Sequence, residues 1–128
     1  MHIIPKFLSI LLVALGSSLP AFAAEPSAHA KVEVEQLLSR LATSGCTFQR
    51  NGSWHSAGEA RVHLEKKYKY LLDKKRLATA EDFVSLAASK SSVSGSPYAV
   101  KCAGQEQPSA AWMGSQLKQL RAQSAKPE

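Results

Sequence analysis

Three ionisable side chains recur at four-residue intervals near the middle of the chain: His55, Glu59 and His63. On one continuous helix they would share a side, where imidazole and carboxylate groups could bind a metal ion or transfer protons. The two histidines would lie about 12 Å apart along an ideal helix, however, which is too far for one zinc ion to bridge. Glu59 also follows Ser56 at the spacing of a capping box. We therefore expect these histidines to hydrogen-bond or to contact a partner, with no metal and no other cofactor.

Serines are abundant between residues 89 and 96, and a serine beside a histidine can act as a nucleophile. None of the serines lies in a GxSxG turn, and the sequence contains no complete catalytic set. We therefore expect a protein that is not an enzyme. An enzyme in which His55, Glu59 or His63 meets a serine of this segment is kept as an alternative.

A basic stripe follows His63 in a chain whose formal net charge is +6. It consists of Lys66, Lys67, Lys69, Lys74, Lys75 and Arg76, with Tyr68 and Tyr70 among them. Basic residues interleaved with tyrosines are typical of nucleic-acid binding, but export of the chain would remove most such partners. We expect no nucleic-acid partner, and either a solvated helix face or contact with an envelope protein or an anionic envelope component.

The first 23 residues have the layout of a secretory signal peptide. Lys6 stands near the amino terminus, an apolar stretch follows from Phe7 to Leu15, and small residues occupy positions 21 and 23. The apolar stretch is shorter than the roughly 20 residues that a membrane-spanning helix needs. We predict cleavage after Ala23, a periplasmic destination, no membrane anchor after cleavage, and one domain over residues 24–128 with its core at about 30–122.

Export would decide the redox state of the two cysteines, Cys46 and Cys102. An oxidising compartment favours a disulfide between them, whereas a reactive thiol or a metal site is disfavoured because there is no CxxC motif. The chain-entropy description gives roughly 4 kcal/mol of stabilisation for a closed loop of about 56 residues. In one small domain that is a large share of the net stability.

Apolar periodicity and turn residues predict six elements in the mature chain. Helices are expected over about 27–44, 57–75 and 79–89 and from a capping Ser109 onward, and strands over 46–50 and 98–102. Residues 103–108 are expected to form a loop. The order is therefore α-β-α-α-β-α, which describes a helix-rich α+β domain with about four helices and a small two-stranded sheet.

The serine loop, residues 89–98, reads SKSSVSGSPY and separates a helix from a cysteine-bearing strand. Gly95 and Pro97 restrict or direct the backbone, and serine hydroxyls can bond neighbouring amides. The alternative is a disordered serine-rich connector. We predict an ordered loop, because the strand that follows it is expected to carry a disulfide.

Four motifs in matching order resemble the YfeK-like family of small exported bacterial proteins, a family known as a domain of unknown function. They are RNG at 50–52, HxxxEAxxHL at 55–64, TAEDF at 79–83 and SSxSGxPY at 91–98. The resemblance implies a periplasmic setting and no particular activity. It directs attention to a set of candidate binding residues: Arg50, Asn51, His55, Glu59, His63, Ser92, Gly95 and Tyr98.

A second, local resemblance concerns Ser94 to Tyr98, which is similar to the SGxxY loop that periplasmic lysozyme inhibitors insert into an enzyme's cleft. It implies, as an alternative function, inhibition of a lysozyme or another cell-wall hydrolase. The leading hypothesis is a non-catalytic binding module. Its surface would combine the RNG turn (residues 50–52), the start of the second helix and the serine loop, including Ser94.

Overall fold

Four helices and four short strands make up the described part of the chain. The structure is a computed structural model that describes Gly16 and residues 24–125, so the expected signal peptide, apart from Gly16, lies outside the described residues. The elements are α1 (Ala28–Thr43), β1 (Thr47–Arg50), β2 (Ser53–Ser56), α2 (Ala57–Asp73), α3 (Ala80–Leu86), β3 (Ala99–Cys102), β4 (Gln105–Pro108) and α4 (Ser109–Ser124). In the described ranges, none of the helices has the length and apolarity needed to cross a membrane.

The sheet has four antiparallel strands in the order β2-β1-β3-β4, so the prediction of a two-stranded sheet was wrong. Both missing strands are edges, SWHS and QEQP, and neither contains a fully buried side chain. Each is joined to a central strand by a two-residue turn, Asn51-Gly52 or Ala103-Gly104, in which both residues have positive φ. Asn-Gly is a strong hairpin signal that was interpreted only as the end of a strand. The α+β class and the four helices are as predicted.

One face of the sheet packs against the helices and the other is open. Phe48 of β1 lies opposite Val100 of β3, and both are buried. The neighbouring positions Gln49 and Ala99 point to the other face and are partly exposed, as the two-residue period of a strand requires. The helices contribute the rest of the core: Val34, Leu37, Leu38, Leu41, Leu64, Tyr68, Leu71, Phe83, Met113 and Leu117.

The Cys46–Cys102 disulfide is present and joins the start of β1 to the end of β3. The strands run antiparallel with Thr47 opposite Lys101, which places the two cysteines opposite each other with their Cα atoms 4.5 Å apart. The predicted bridge between neighbouring strands is therefore confirmed. It fixes the pairing of β1, which ends in Arg50, with β3, which follows Tyr98.

Two of the predicted caps differ from the observed ones. The Ser56 hydroxyl accepts from the Glu59 backbone N–H at 3.2 Å, but the Glu59 carboxylate binds the His55 side chain instead of closing the capping box. Ser109 does not cap α4, because the N-cap is Pro108. The Ser109 N–H donates to the Tyr98 carbonyl at 2.9 Å, which makes Ser109 part of the link between β3 and α4.

A buried carboxylate joins three of the helices. Glu33 of α1 is 5% exposed and receives two hydrogen bonds from Arg121 of α4, at 2.9 and 3.2 Å. Arg121 also pairs with Glu81 of α3. The arginine thus holds together the helix layer that supports the sheet.

Candidate functional site

A chain of side-chain hydrogen bonds crosses from the RNG turn to the end of the serine loop. Arg50 Nη1 lies 2.9 Å from Nδ1 of His63, and His63 Nε2 lies 3.0 Å from the hydroxyl of Tyr98. Arg50 ends β1, His63 lies on α2 and Tyr98 ends the serine loop. Three of the predicted binding residues, from three separate parts of the sequence, therefore meet at one place.

The chemistry of these groups fixes where the proton of the imidazole lies. An arginine side chain can only donate, so His63 Nδ1 must accept, and its proton is on Nε2, which donates to the Tyr98 oxygen. Burial, together with the positive charges of Arg50 and Lys67, lowers the pKa of His63 from 6.5 to about 4. The histidine is therefore neutral at physiological pH.

Lys67, one turn of α2 beyond His63, completes the group. Its Nζ donates to the Tyr98 hydroxyl at 3.1 Å and to the Lys90 carbonyl at 2.8 Å. Burial, with the nearby Arg50 charge, lowers the pKa of Lys67 from 10.5 to about 8. We call Arg50, His63, Lys67 and Tyr98 the donor cluster.

Tyr98 is 2% exposed and packs on Phe48 with their ring centroids 5.0 Å apart. Its hydroxyl oxygen accepts from both His63 and Lys67, and burial raises the pKa of the phenol. While Lys67 is an ammonium group, the phenol's own proton has no protein acceptor among the described residues. The donor cluster therefore contains more hydrogen-bond donors than acceptors.

The serine loop is shaped by its own hydrogen bonds, which confirms the prediction of an ordered loop. The Ser91 hydroxyl accepts from the N–H groups of Val93 and Ser94 at 3.3 and 3.2 Å, and the Ser91 N–H donates to the Ser96 carbonyl at 2.9 Å. The Ser94 hydroxyl donates to Asn51 Oδ1 at 2.8 Å. The loop and the RNG turn thus form one continuous surface.

His55 and Glu59 lie beside the donor cluster and form a separate pair. His55 belongs to β2, so the three residues at four-residue spacing do not share one helix, and His55 Nδ1 lies 3.1 Å from Glu59 Oε2. Within residues 24–125, no group of three or more His, Cys, Asp or Glu side chains is placed to hold a metal ion.

Gly95 is exposed and has a φ of +74°, which explains a glycine at this turn.

Two grooves open on either side of His63. The larger, of about 640 Å³, is lined by His63, Lys66, Lys67, Tyr70, Leu71, Arg76, Leu86 and Ser92. The smaller, of about 530 Å³, is lined by Arg50, His55, Gly58, Glu59, Val62, His63 and Lys66. The predicted residue Ser92 therefore shares a groove with His63, while His55 and Glu59 line the other one.

Lys67 is the site residue that sequence reasoning missed. It was seen only as one of several lysines in the basic stripe. The useful signal was its spacing, because residues four apart on a helix lie on the same side and Lys67 follows His63 by four. This spacing distinguishes Lys67 from Lys69, which is exposed and pairs with Glu65 at 3.5 Å.

The low pKa of His63 makes a prediction about acid stability. Between pH 6.5 and about 4 the unfolded chain binds a proton at this histidine and the folded chain does not, so stability falls as the pH falls. With allowance for solvent screening, we expect His63 to account for a loss of about 2 kcal/mol over this window.

Urea unfolding of the wild type and of His63→Gln at each pH measures this loss. The free energy of unfolding is plotted against pH for each protein. The difference between the two slopes gives the contribution of His63, because the carboxylates titrate in both proteins. Parallel plots of stability against pH would contradict the lowered pKa of His63, as would a His63 imidazole that titrates near 6.5 in an NMR experiment.

Comparison with known proteins places the chain in a family. Residues 28–121 match the family described as "Family of unknown function (DUF5329)". Over 87 residues the chain is 40% identical to "Uncharacterized protein YfeK" of Salmonella typhimurium, an alignment that covers 67% of this chain and 70% of that protein. No solved structure matches. The chain therefore belongs to a YfeK-like family of unknown function, DUF5329.

Proposed function

We propose that this protein is an exported, non-catalytic binding module of the bacterial periplasm that recognises an anionic group through its donor cluster. The support for export is the layout of the first 23 residues and the pairing of both cysteines, which is typical of oxidising compartments. The partner is an envelope component that carries a phosphate, sulfate or carboxylate group.

The observation that carries the proposal is the excess of donors at the Tyr98 hydroxyl. Arg50 and Lys67 bring two positive charges to a neutral His63, and all the charges that perturb the pKa of His63 are positive. Such an arrangement is costly without an acceptor, and burial, together with the Arg50 charge, lowers the pKa of Lys67. An anion would accept the free proton of Tyr98 and offset the repulsion between Arg50 and Lys67.

The bonding of His63 supports the non-catalytic part of the proposal. Nδ1 accepts from Arg50 and Nε2 donates to Tyr98, so a general base would require one of these bonds to break. The cluster is suited to holding a negative charge in place.

We expect inorganic phosphate to bind at the donor cluster and Arg50→Gln to weaken this binding roughly tenfold, the loss that follows from removing a charge-assisted hydrogen bond. Titration by NMR at constant ionic strength measures the affinity and identifies the perturbed residues. Lys118→Gln is the matched control, because it removes the same charge from an exposed position on α4. If both variants bound phosphate equally more weakly than the wild type, the effect would come from net charge alone and the proposed site would be refuted.

The tip of the serine loop supports a second candidate function, inhibition of a lysozyme or another cell-wall hydrolase by loop insertion. Val93 is 97% exposed, which is unusual for an apolar side chain in an ordered loop. The tyrosine of the SGSPY segment is buried in the donor cluster, so the inserted residues would be Ser92 to Ser96. A turnover assay with chicken-, goose- and invertebrate-type lysozymes decides the matter: inhibition that Val93→Ser removes supports it, and unchanged turnover eliminates it.

A further inference from the structure

The larger groove extends from the donor cluster along one side of α2. Its α2 residues are His63, Lys66, Lys67, Tyr70 and Leu71, which recur at the spacing of one helix face. They cover about 12 Å of helix length. The serine loop reaches Lys67, whose Nζ donates to the Lys90 carbonyl, and Ser92 of this loop and Leu86 of α3 also line the groove.

The lining of the groove combines polar and apolar side chains, and Arg76 lies next to the apolar Leu71. At one end are His63 and Lys67. Beyond them the floor is the buried Leu71, and the sides include Tyr70 and Leu86, which are 56% and 42% exposed. Large apolar side chains are rarely left this exposed in the same concave surface unless something covers them.

The charged side chains that line the groove are all of one sign. Lys66, Lys67 and Arg76 line it, and Lys74 lies 5.8 Å above the ring of Tyr70. Among its described lining residues there is no carboxylate. An apolar floor with cationic sides is complementary to a molecule that has an apolar body and an anionic head.

We propose that this groove binds a single-chain anionic amphiphile, with the head group at the donor cluster and Ser92, and the hydrocarbon chain along Tyr70, Leu71 and Leu86. The inference rests on the proposed anion recognition and adds the chemical class of the ligand. A volume of about 640 Å³ accommodates one such chain and lies within the range of small-molecule sites.

The test compares four probes: inorganic phosphate, and octyl phosphate, dodecyl phosphate and dodecyl maltoside, each of the three amphiphiles below its critical micelle concentration. Isothermal titration calorimetry gives the affinities. We expect dodecyl phosphate to bind more tightly than octyl phosphate and both more tightly than inorganic phosphate, with up to about tenfold for each added pair of methylenes until the groove is full. Dodecyl maltoside, which has the chain without the charge, is expected to bind weakly.

Two matched variants locate the chain. Leu86→Gln should weaken the binding of dodecyl phosphate about tenfold and leave the affinity for inorganic phosphate unchanged. Val32→Gln should change neither, because Val32 is 53% exposed on α1 and does not line this groove. Circular dichroism verifies that both variants are folded.

The outcomes separate this inference from the proposed function. If inorganic phosphate binds at the donor cluster and the alkyl phosphates bind no more tightly, the groove inference is overturned and the anion site stands. If neither binds, both are refuted. Binding to phosphatidylglycerol vesicles without binding of monomeric alkyl phosphate would also overturn the inference, since it would indicate a membrane surface as the ligand.

Discussion

Replacing Cys46 and Cys102 together with alanine is expected to lower the free energy of unfolding by about 4 kcal/mol, the largest effect of any change considered for this protein. The bond closes a loop with a sequence separation of 56, so its loss restores much conformational freedom to the unfolded chain. The whole stability of a domain of this size is about 5 to 15 kcal/mol. The double variant should therefore unfold at a clearly lower temperature and urea concentration.

Urea unfolding of four samples tests this expectation: the oxidised wild type, the wild type with a reducing agent, and the double variant with and without that agent. The reduced wild type and the double variant should be similarly destabilised, and the reducing agent should not affect the variant. A loss below about 1 kcal/mol would contradict the entropic origin of the stabilisation. Because the bond fixes β1 against β3, we also expect weaker phosphate binding in the reduced protein.

The second large effect is expected from Arg121→Ala, which should cost about 2 to 3 kcal/mol because it leaves the Glu33 carboxylate buried without its partner. The side chain of Glu33 is 7% exposed, whereas that of Arg121 is 48% exposed. The hydrogen bonds from Arg121 hold the pKa of Glu33 below its usual 4.5, against the opposing effect of burial. The exposure of Arg121 keeps the loss below that of a fully buried pair.

The pH dependence of the Arg121→Ala variant identifies the cause. With the arginine gone, burial raises the pKa of Glu33 in the folded state, so the folded chain takes up its proton before the unfolded chain does. The deficit relative to the wild type should therefore shrink as the pH falls from 7 toward 5. Arg61→Ala is the control, because its carboxylate partner Glu35 is exposed and lies 3.7 Å away, and it should cost no more than about 0.5 kcal/mol. A deficit that is independent of pH would indicate lost packing of the arginine stem instead.

The sequence was sufficient for the parts of the fold that bury a regular apolar pattern. The helices were predictable because residues such as Leu37, Leu41, Leu64 and Leu71 recur at helical spacing and are all buried. The edge strands β2 and β4 were not predicted, since their side chains face solvent or the edge of the sheet and show no apolar alternation, and only the Asn51-Gly52 turn before β2 carried a hairpin signal. Their position is decided by backbone pairing with β1 and β3, which composition does not record.

The sequence singled out three of the four residues of the donor cluster, but not Lys67 and not the bonds between them. Arg50, His63 and Tyr98 come from motifs that resemble those of the YfeK-like family. That they touch depends on β1 pairing with β3 and on α2 lying beside β1, which brings His63 to both Arg50 and Tyr98. For Glu59 the predicted bond was wrong. The spacing from Ser56 predicted a capping box, but the carboxylate binds His55, a second partner within reach.

The most direct test of anion recognition is the pKa of Lys67, measured by NMR with and without sulfate, which keeps its charge over the whole titration. The groups that face the ammonium are Arg50, His63, the Tyr98 hydroxyl and the Lys90 carbonyl, and without an anion we expect titration near 8. Sulfate bound at the donor cluster stabilises the charged lysine, so its pKa should rise above the value found in chloride of equal ionic strength. A Lys67 pKa that is the same in sulfate and chloride would contradict anion recognition at this site.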